Sequence, residues 1–317
     1  MKKKKIRSLI IGLGKVGLDY DYNNKYSTLS HCKSINDHPN YELIAGVDLD
    51  KTQCIKFFKK YKKAFYNNYE EAIKKHNPEL VVVSVPTECH LNIIKKIIKY
   101  KCIKTILLEK PGTYSTKNLK KIFDLCNQNK IKLFLNYLRL YDQYFIDIAN
   151  KLKKNNNLNI FIFYSRGIYN NCSHYLSFLG LFLKEIKKIK ILKRYNEKKK
   201  DYSADFYLKY KNADVYFFKN KTDKISHSEI IINTENGSWR SSNNFKEFNY
   251  LENMKDEFIK DNITYSNQKE ILNQNKFTLQ YLVYDKIFKD TKINKTIYKK
   301  NSMTTLKNLE KIINMIK

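Results

Sequence analysis

The chain has 317 residues, 42% of them hydrophobic, which supplies apolar material for two globular cores and excludes general disorder. Its formal net charge of +30 is carried almost wholly by lysine, because Arg7, Arg139, Arg166, Arg194 and Arg240 are its only arginines. Arginine is the better bidentate reader of phosphate and guanine, so the charge describes a solvated surface with a general attraction for anions, and no nucleic-acid partner is expected.

From the N-terminus, Ile6 to Ile11 predicts a buried strand and Gly12 to Gly17 a turn that opens a helix. Met1 to Lys5 ahead of the apolar Ile6 to Leu18 has the outline of a signal peptide. Lys15 breaks that run and no small-residue cleavage site follows, so no leader is expected. Leu43 to Val47 is a second strand, and Thr52 to Lys62 a helix with Asp50 as its cap. Tyr69 to Ile73 gives a short helix and Leu80 to Val85 a strand as apolar as those buried on both faces. His90 to Tyr100 is helical, with Leu91, Ile94, Ile97 and Ile98 on one face. Strand Thr105–Leu108, helix Lys117–Gln128 and strand Lys132–Asn136 complete the alternation. The expectation is an α/β chain whose residues 1–136 form a Rossmann-type, doubly wound parallel sheet.

After Tyr137 the rhythm changes. Tyr141 to Lys153 predicts a helix, Asn159 to Tyr164 a strand, and His174 to Lys188 an apolar-faced helix. Strand-like runs then follow without helices between them: Ile189–Tyr195, Ala204–Tyr210, Ala213–Phe218, Ser228–Asn233 and Gly237–Arg240. Residues 137–317 are therefore expected to form an α+β domain with a largely antiparallel open sheet, closed by helices at about Lys276–Lys289 and Thr304–Ile316. An open sheet commonly buries its free face against a second copy, so a homodimer or tetramer is expected. No stretch is long and apolar enough for a membrane span. Cys32, Cys54, Cys89, Cys102, Cys126 and Cys172 show no CxxC spacing and no Cys/His cluster. They predict reduced thiols in a cytoplasmic protein with no metal site.

Gly12-Leu13-Gly14-Lys15-Val16-Gly17 fits G-x-G-x-x-G after an apolar strand, the pattern that receives a dinucleotide. Gly12 permits the tight turn, Gly14 lets a diphosphate approach the backbone, and Gly17 lets helix and strand pack closely. Amides at the helix start then face the phosphates. Asp48 ends the second strand, where a carboxylate accepts from ribose hydroxyls and repels a 2′-phosphate, which favours NAD over NADP. Asp48 stands 31 residues after Gly17, where about 20 is usual. Tyr20 to Thr28, polar and tyrosine-rich, is read as the insertion.

Three further segments carry a resemblance: Val85-Pro86-Thr87-Glu88-Cys89-His90, Glu109-Lys110-Pro111, and Asn170-Asn171-Cys172-Ser173-His174. In this order, after the glycine loop, the chain resembles the glucose–fructose oxidoreductase / inositol dehydrogenase (Gfo/Idh/MocA) family over nearly its whole length. The resemblance implies an oxidoreductase that moves hydride between NAD and a secondary alcohol or ketone of a sugar or sugar derivative, including a nucleotide sugar. It implies that Lys110 orients the substrate hydroxyl, that His174 accepts its proton, and that Pro86, His90 and Glu109 join the cofactor site. His31 is placed in the same cleft, and Arg139, Arg166, Asn170 and Asn171 on the substrate. One departure stands out. The family pattern commonly has Asp four residues before this histidine, and Asn170 cannot take a proton. A non-catalytic NAD- or sugar-binding relative, and a reductase of a non-sugar substrate of the biliverdin reductase kind, are therefore alternatives.

Overall fold

A computed structural model of the protein describes residues 4–195, 201–222, 227–242, 244–256, 258–260, 262–271, 278–289 and 295–317. Met1 to Lys3 of the basic start and the first two residues of the helix expected from Lys276 lie outside the described residues. By packing, the chain divides into two compact units, Met1–Asp142 with Lys276–Leu306 and Gln143–Asn275 with Lys307–Lys317.

The first unit is built on a six-stranded parallel sheet. Its strands are β1 (Ile6–Ile11), β2 (Tyr41–Val47), β3 (Ala64–Tyr66), β4 (Leu80–Val83), β5 (Thr105–Leu108) and β6 (Lys132–Leu135), in the spatial order β3-β2-β1-β4-β5-β6. The chain works outward from β1 to β3 and then crosses to β4 on the other side of β1. This leaves a switch point beyond the carboxyl ends of β1 and β4. β4 lies wholly in the core, as its unbroken Leu-Val-Val-Val requires. Helices α1 (His31–Asp37), α2 (Lys51–Tyr61), α3 (Tyr69–His76), α4 (His90–Ile97) and α5 (Thr116–Gln128) connect the strands. Asp50 caps α2 as expected, accepting from the Thr52 N–H at 2.8 Å.

The glycine turn does not open the regular helix expected there. It makes one helical turn, with the Leu18 N–H on the Gly14 carbonyl at 2.8 Å, and the chain then departs. It re-enters at α1, where the His31 N–H bonds the Val16 carbonyl at 2.9 Å and the Cys32 N–H bonds that of Gly17 at 3.0 Å. In an uninterrupted helix Tyr20 would make the bond that His31 makes, so Tyr20 to Ser30 are looped out of one helix. Buried contacts fix this excursion. The Asp21 carboxylate, 1% exposed, accepts from the Leu29 and Ser30 N–H groups at 2.6 and 2.7 Å and from the Ser30 hydroxyl at 2.6 Å. The Lys33 ammonium donates to the carbonyls of Asn24, Lys25 and Ser27 at 2.8–2.9 Å. Lys60 of α2 holds the carbonyls of Asp21 and Tyr22.

The second unit contains α6 (Gln143–Leu152), β7 (Leu158–Tyr164), α7 (Ser173–Leu179) and β8 (Lys188–Tyr195). There follow β9 (Ser203–Lys209), β10 (Ala213–Lys219), β11 (Glu229–Thr234), β12 (Gly237–Ser242), β13 (Glu247–Lys255) and β14 (Ile263–Ile271). The eight strands form one sheet in the order β14-β13-β12-β11-β7-β10-β9-β8, antiparallel except for the β7–β10 pair. Sequence periodicity missed β3, β13 and β14. The expected long helix from His174 is instead the seven residues of α7, which stops at Gly180. The apolar pattern beyond that point belongs to irregular chain leading into β8. Late in the chain, α8 (Leu279–Lys289) packs in the first unit, while α9 (Lys295–Ile316) is shared, its residues through Leu306 counting with the first unit and those from Lys307 with the second. Among the described residues no helix is long and apolar enough to cross a membrane.

Candidate active site

The three glycines of the turn divide their work as their surroundings dictate. Gly12 has φ +101°, and a Cβ there would lie 2.5 Å from the Ser84 carbonyl oxygen at the end of β4. A Cβ on Gly17 would lie 2.1 Å from the Gly12 carbonyl oxygen, so only glycine lets the turn fold back on itself. Around Gly14 nothing stands within 4 Å of the Cβ position. Open space beside this backbone, at the switch point, is the cradle that a diphosphate needs and that a methyl group would fill. Lys15 is exposed and Val16 half-buried on the same turn.

Asp48 follows β2 and locks the turn. Its Oδ2 accepts from the Leu13 N–H at 2.6 Å and its Oδ1 from the Asp50 N–H at 2.9 Å. Each carboxylate oxygen has a second lone pair, so acceptor capacity for ribose hydroxyls is retained.

Beyond β4, Val85 and Pro86 lead into a single 3-10 turn and then α4. His90 is fully buried there, with Nε2 2.9 Å from the Val85 carbonyl oxygen and Nδ1 2.8 Å from that of Gly112. Burial holds its pKa below the ordinary value and outweighs those two bonds and the nearby Glu109 and Glu88. It ties the segment after β4 to the segment after β5.

That second segment is Glu109-Lys110-Pro111-Gly112, with a cis Lys110–Pro111 bond and φ +86° at Gly112. Lys110 is half-buried at the carboxyl end of β5, two strands from the glycine turn, a lateral distance of about 10 Å at ~4.8 Å per strand. Glu109 points into a polar network that sequence reasoning did not assemble. Its Oε1 accepts from His31 Nε2 at 3.0 Å and from Asn136 Nδ2. His31 Nδ1 stands 2.6 Å from the Tyr284 hydroxyl and 3.2 Å from Gln280 Nε2. Burial pushes the Glu109 carboxyl up, but His31, Asn136 and the Lys110 charge outweigh it, leaving a net shift below the usual carboxylate range. Arg139 lies on a short turn after β6 and is half-buried.

The second unit carries the other candidates. Arg166 is exposed with φ +65°, and Ile168–Cys172 form a π-helical turn that runs directly into α7. The Asp201 carboxylate caps this turn, accepting from the Tyr169 and Asn170 N–H groups at 2.9 and 2.8 Å. Asn170 is exposed, His174 is half-buried in the first turn of α7, and Asn171 donates to the Ser228 hydroxyl at 3.3 Å. Asn171 Oδ1 and Ser173 Oγ are buried with no hydrogen-bond partner. Arg166, Asn170, Asn171 and His174 thus share one connected segment. Asp201 gave no local signal, because it acts from 31 residues further on.

An open glycine cradle at the switch point of a parallel sheet, with a lysine at a neighbouring strand end, defines a dinucleotide-binding domain. Residues 6–137 match the GFO_IDH_MocA family, an oxidoreductase family with an NAD-binding Rossmann fold. That match covers the first domain, which is thereby of the NAD-binding Rossmann type that this oxidoreductase family carries. No curated protein matches the sequence significantly. Among solved structures the chain is similar to yvaA from Bacillus subtilis (TM-score 0.76, 14% identity, covering 100% of this chain and 97% of that one). It is also similar to the WlbA dehydrogenase from Bordetella pertussis in complex with NADH and UDP-GlcNAcA (0.72, 13%, 99% and 97%). A third is KijD10, a 3-ketoreductase from Actinomadura kijaniata in complex with NADP and TDP-benzene (0.73, 12%, 98% and 98%). At these identities the likeness is one of fold.

Proposed function

We propose that the protein is a cytoplasmic, NAD-preferring oxidoreductase that interconverts a secondary alcohol and a ketone on a sugar or sugar derivative, with nucleotide sugars the first class to test. The open side of Gly14 at the switch point, with Lys110 two strands away on the same sheet, carries this reading. Residues 1–136 hold the dinucleotide through Gly12 to Gly17, Asp48, Pro86 and Glu109, and His90 acts as a positioning residue that ties two of these segments together. Asp48 presents a negative charge where a 2′-phosphate would have to sit, hence NAD. Bound NAD supplies the hydride acceptor. Lys110 donates a hydrogen bond to the reacting oxygen and orients the carbon. His174 accepts the hydroxyl proton, a role suited to imidazole near neutrality. Arg139 and Arg166 offer forked donors to a carboxylate or the phosphates of a nucleotide sugar, and Asn170 and Asn171 bind hydroxyls. The UDP-GlcNAcA bound to WlbA and the nucleotide-linked TDP-benzene bound to KijD10 make nucleotide sugars the first class to try.

We further expect a homo-oligomer. One sheet face carries a half-buried aromatic ladder, with Phe161 stacked on Tyr216 and Phe163 on Phe218, that a second copy would cover. Size-exclusion chromatography with light scattering reads this directly, and a monomer at micromolar concentration rules it out. For activity, NADH formation is followed at 340 nm across a panel of sugars and nucleotide sugars, with an NADP control. Turnover with NAD on one class supports the reading. NAD binding without turnover on any substrate favours the non-catalytic alternative raised by Asn170, and a chain that binds neither dinucleotide ends both.

A further inference from the structure

The groups behind Lys110 form a network whose proton positions follow from its own connectivity. Asn136 Nδ2 donates both to Glu109 Oε1 and to Gln280 Oε1, the latter at 3.1 Å. With its oxygen committed there, Gln280 presents Nε2 as a donor to His31 Nδ1 at 3.2 Å. The Tyr284 hydroxyl reaches the same nitrogen at 2.6 Å, and burial keeps that phenol protonated by raising its pKa well above the ordinary value. Nδ1 is therefore an acceptor, and the imidazole carries its proton on Nε2, aimed at Glu109 Oε1 3.0 Å away. His31 is 0% exposed and Glu109 13%, so the carboxylate is largely screened from water by this donor.

Burial keeps several titratable groups around the network uncharged. Tyr137 beside Asn136, Tyr41 against Tyr284, and Cys32 on α1 are all pushed up by burial, and His90 on α4 is pushed down by burial. Lys110, the next residue in the chain, is a cation whose charge helps to lower the Glu109 pKa. An ionised carboxylate in poor dielectric favours the charged form of a nearby amine.

We propose that His31 is a positioning residue that holds the Glu109 carboxylate as the counter-charge of Lys110, so that Lys110 meets the substrate as an ammonium and donates a hydrogen bond instead of accepting a proton. The proposal rests on the assignment of Lys110 to the substrate, but the charge relation is measurable without substrate. α1 and α8 thereby act on the substrate lysine from behind. The sequence gives no hint of this, because Gln280 and Tyr284 lie about 250 positions from His31.

The test is competitive acetylation of the intact protein with acetic anhydride, read at Lys110 by mass spectrometry as a function of pH. In the wild type the Lys110 rate is expected to be still climbing about ten-fold per pH unit at pH 9, and a plateau reached by pH 8 overturns the proposal. Glu109→Gln keeps the shape and an acceptor oxygen but removes the charge, so the Lys110 rate at pH 8 is expected to rise about ten-fold. His31→Asn, which loosens the carboxylate, is expected to raise it by a smaller factor. Folded variants that melt earlier yet label Lys110 at the wild-type rate give the network a structural role only and overturn the proposal. Absence of NAD binding or turnover in the wild type would sink the oxidoreductase reading while leaving these labelling rates untouched, so the two failures are distinguishable.

Discussion

The cofactor cradle is tested most sharply by placing one methyl group at each of two glycines. Gly14→Ala adds a Cβ with no protein atom within 4 Å, and Gly14 does not occupy the left-handed region, so the folded chain is expected to be unharmed or about 0.4–1 kcal/mol more stable. That open space is where the diphosphate is placed. Losing one charge-assisted N–H to phosphate bond removes about 1.5–3 kcal/mol, roughly a 10- to 150-fold rise in Kd. Gly17→Ala adds a Cβ 2.1 Å from the Gly12 carbonyl oxygen, an overlap that no side-chain movement relieves, and should destabilise by about 3 kcal/mol or more. Calorimetric titration with NADH and thermal melts with and without it separate the two effects. NADH at about a thousand times Kd adds roughly 4 kcal/mol to wild-type stability, and Gly14→Ala should lose at least 1.4 kcal/mol of that at the same ligand concentration. Wild-type NADH affinity in Gly14→Ala would refute the placement of the diphosphate.

Asp48→Asn keeps an acceptor for the Leu13 N–H and removes the charge, so the NADPH to NADH affinity ratio should rise at least ten-fold, and an unchanged ratio removes the basis for NAD preference. His38 and His90 are held neutral by burial, which for His38 outweighs Asp285, and both titrate near 6.5 once unfolded. Their contribution is therefore complete above about pH 6.5 and is lost as pH falls below it through their depressed folded values. Tm should be flat above pH 7 and drop toward pH 5, and His38→Gln should flatten the drop; the same steepness in the variant counts against the assignment. Lys33→Met leaves three loop carbonyls without their buried donor, at a cost of about 1–3 kcal/mol, and limited proteolysis should then cut between residues 21 and 29 before the rest of the chain. Deleting Tyr20 to Ser30 should leave a folded chain whose NADH Kd stays within about three-fold of wild type, as titration will show.

What was legible in the sequence was local. Asp50 capping α2, the apolar run of β4 and the Gly17 contact with the Gly12 carbonyl each involve residues within a few positions, while the contact of Gly12 with Ser84 beyond β4 does not. Polar side chains that act over distance were not legible. Glu109 was placed with the cofactor by its motif, but its partners come from α1 and from the residue after β6, and α8 in turn holds the α1 partner, His31. His90 looked like a cofactor contact, but the Gly112 carbonyl, 22 residues on, decides where one of its nitrogens points. β13 and β14 escaped notice because Glu247–Lys255 and Ile263–Ile271 alternate too weakly to betray a buried face. The helix expected from His174 failed for the opposite reason, since apolar spacing persists past Gly180 although the helix does not. Nothing in the chain announces the return of Lys276–Leu306 to the first unit.

An eleven-residue interruption inside the phosphate-facing helix would seem to argue against a dinucleotide site, since the field at a helix N-terminus comes from aligned peptide dipoles. The way the chain re-enters answers this. His31 and Cys32 bond the carbonyls of Val16 and Gly17, so the dipoles of α1 continue those of the Gly14–Leu18 turn as though the excursion were absent. Loop closure costs little at this length, because each doubling of a loop adds only about 0.6 kcal/mol, and Asp21, Lys33 and Lys60 supply buried hydrogen bonds to hold it. The 31-residue separation of Gly17 and Asp48 is thus an ordinary spacing plus one looped-out segment. A phosphate at Gly14 meets the first turn of a helix whose far end is α1, and the deletion variant separates this account from one in which the excursion itself grips the cofactor.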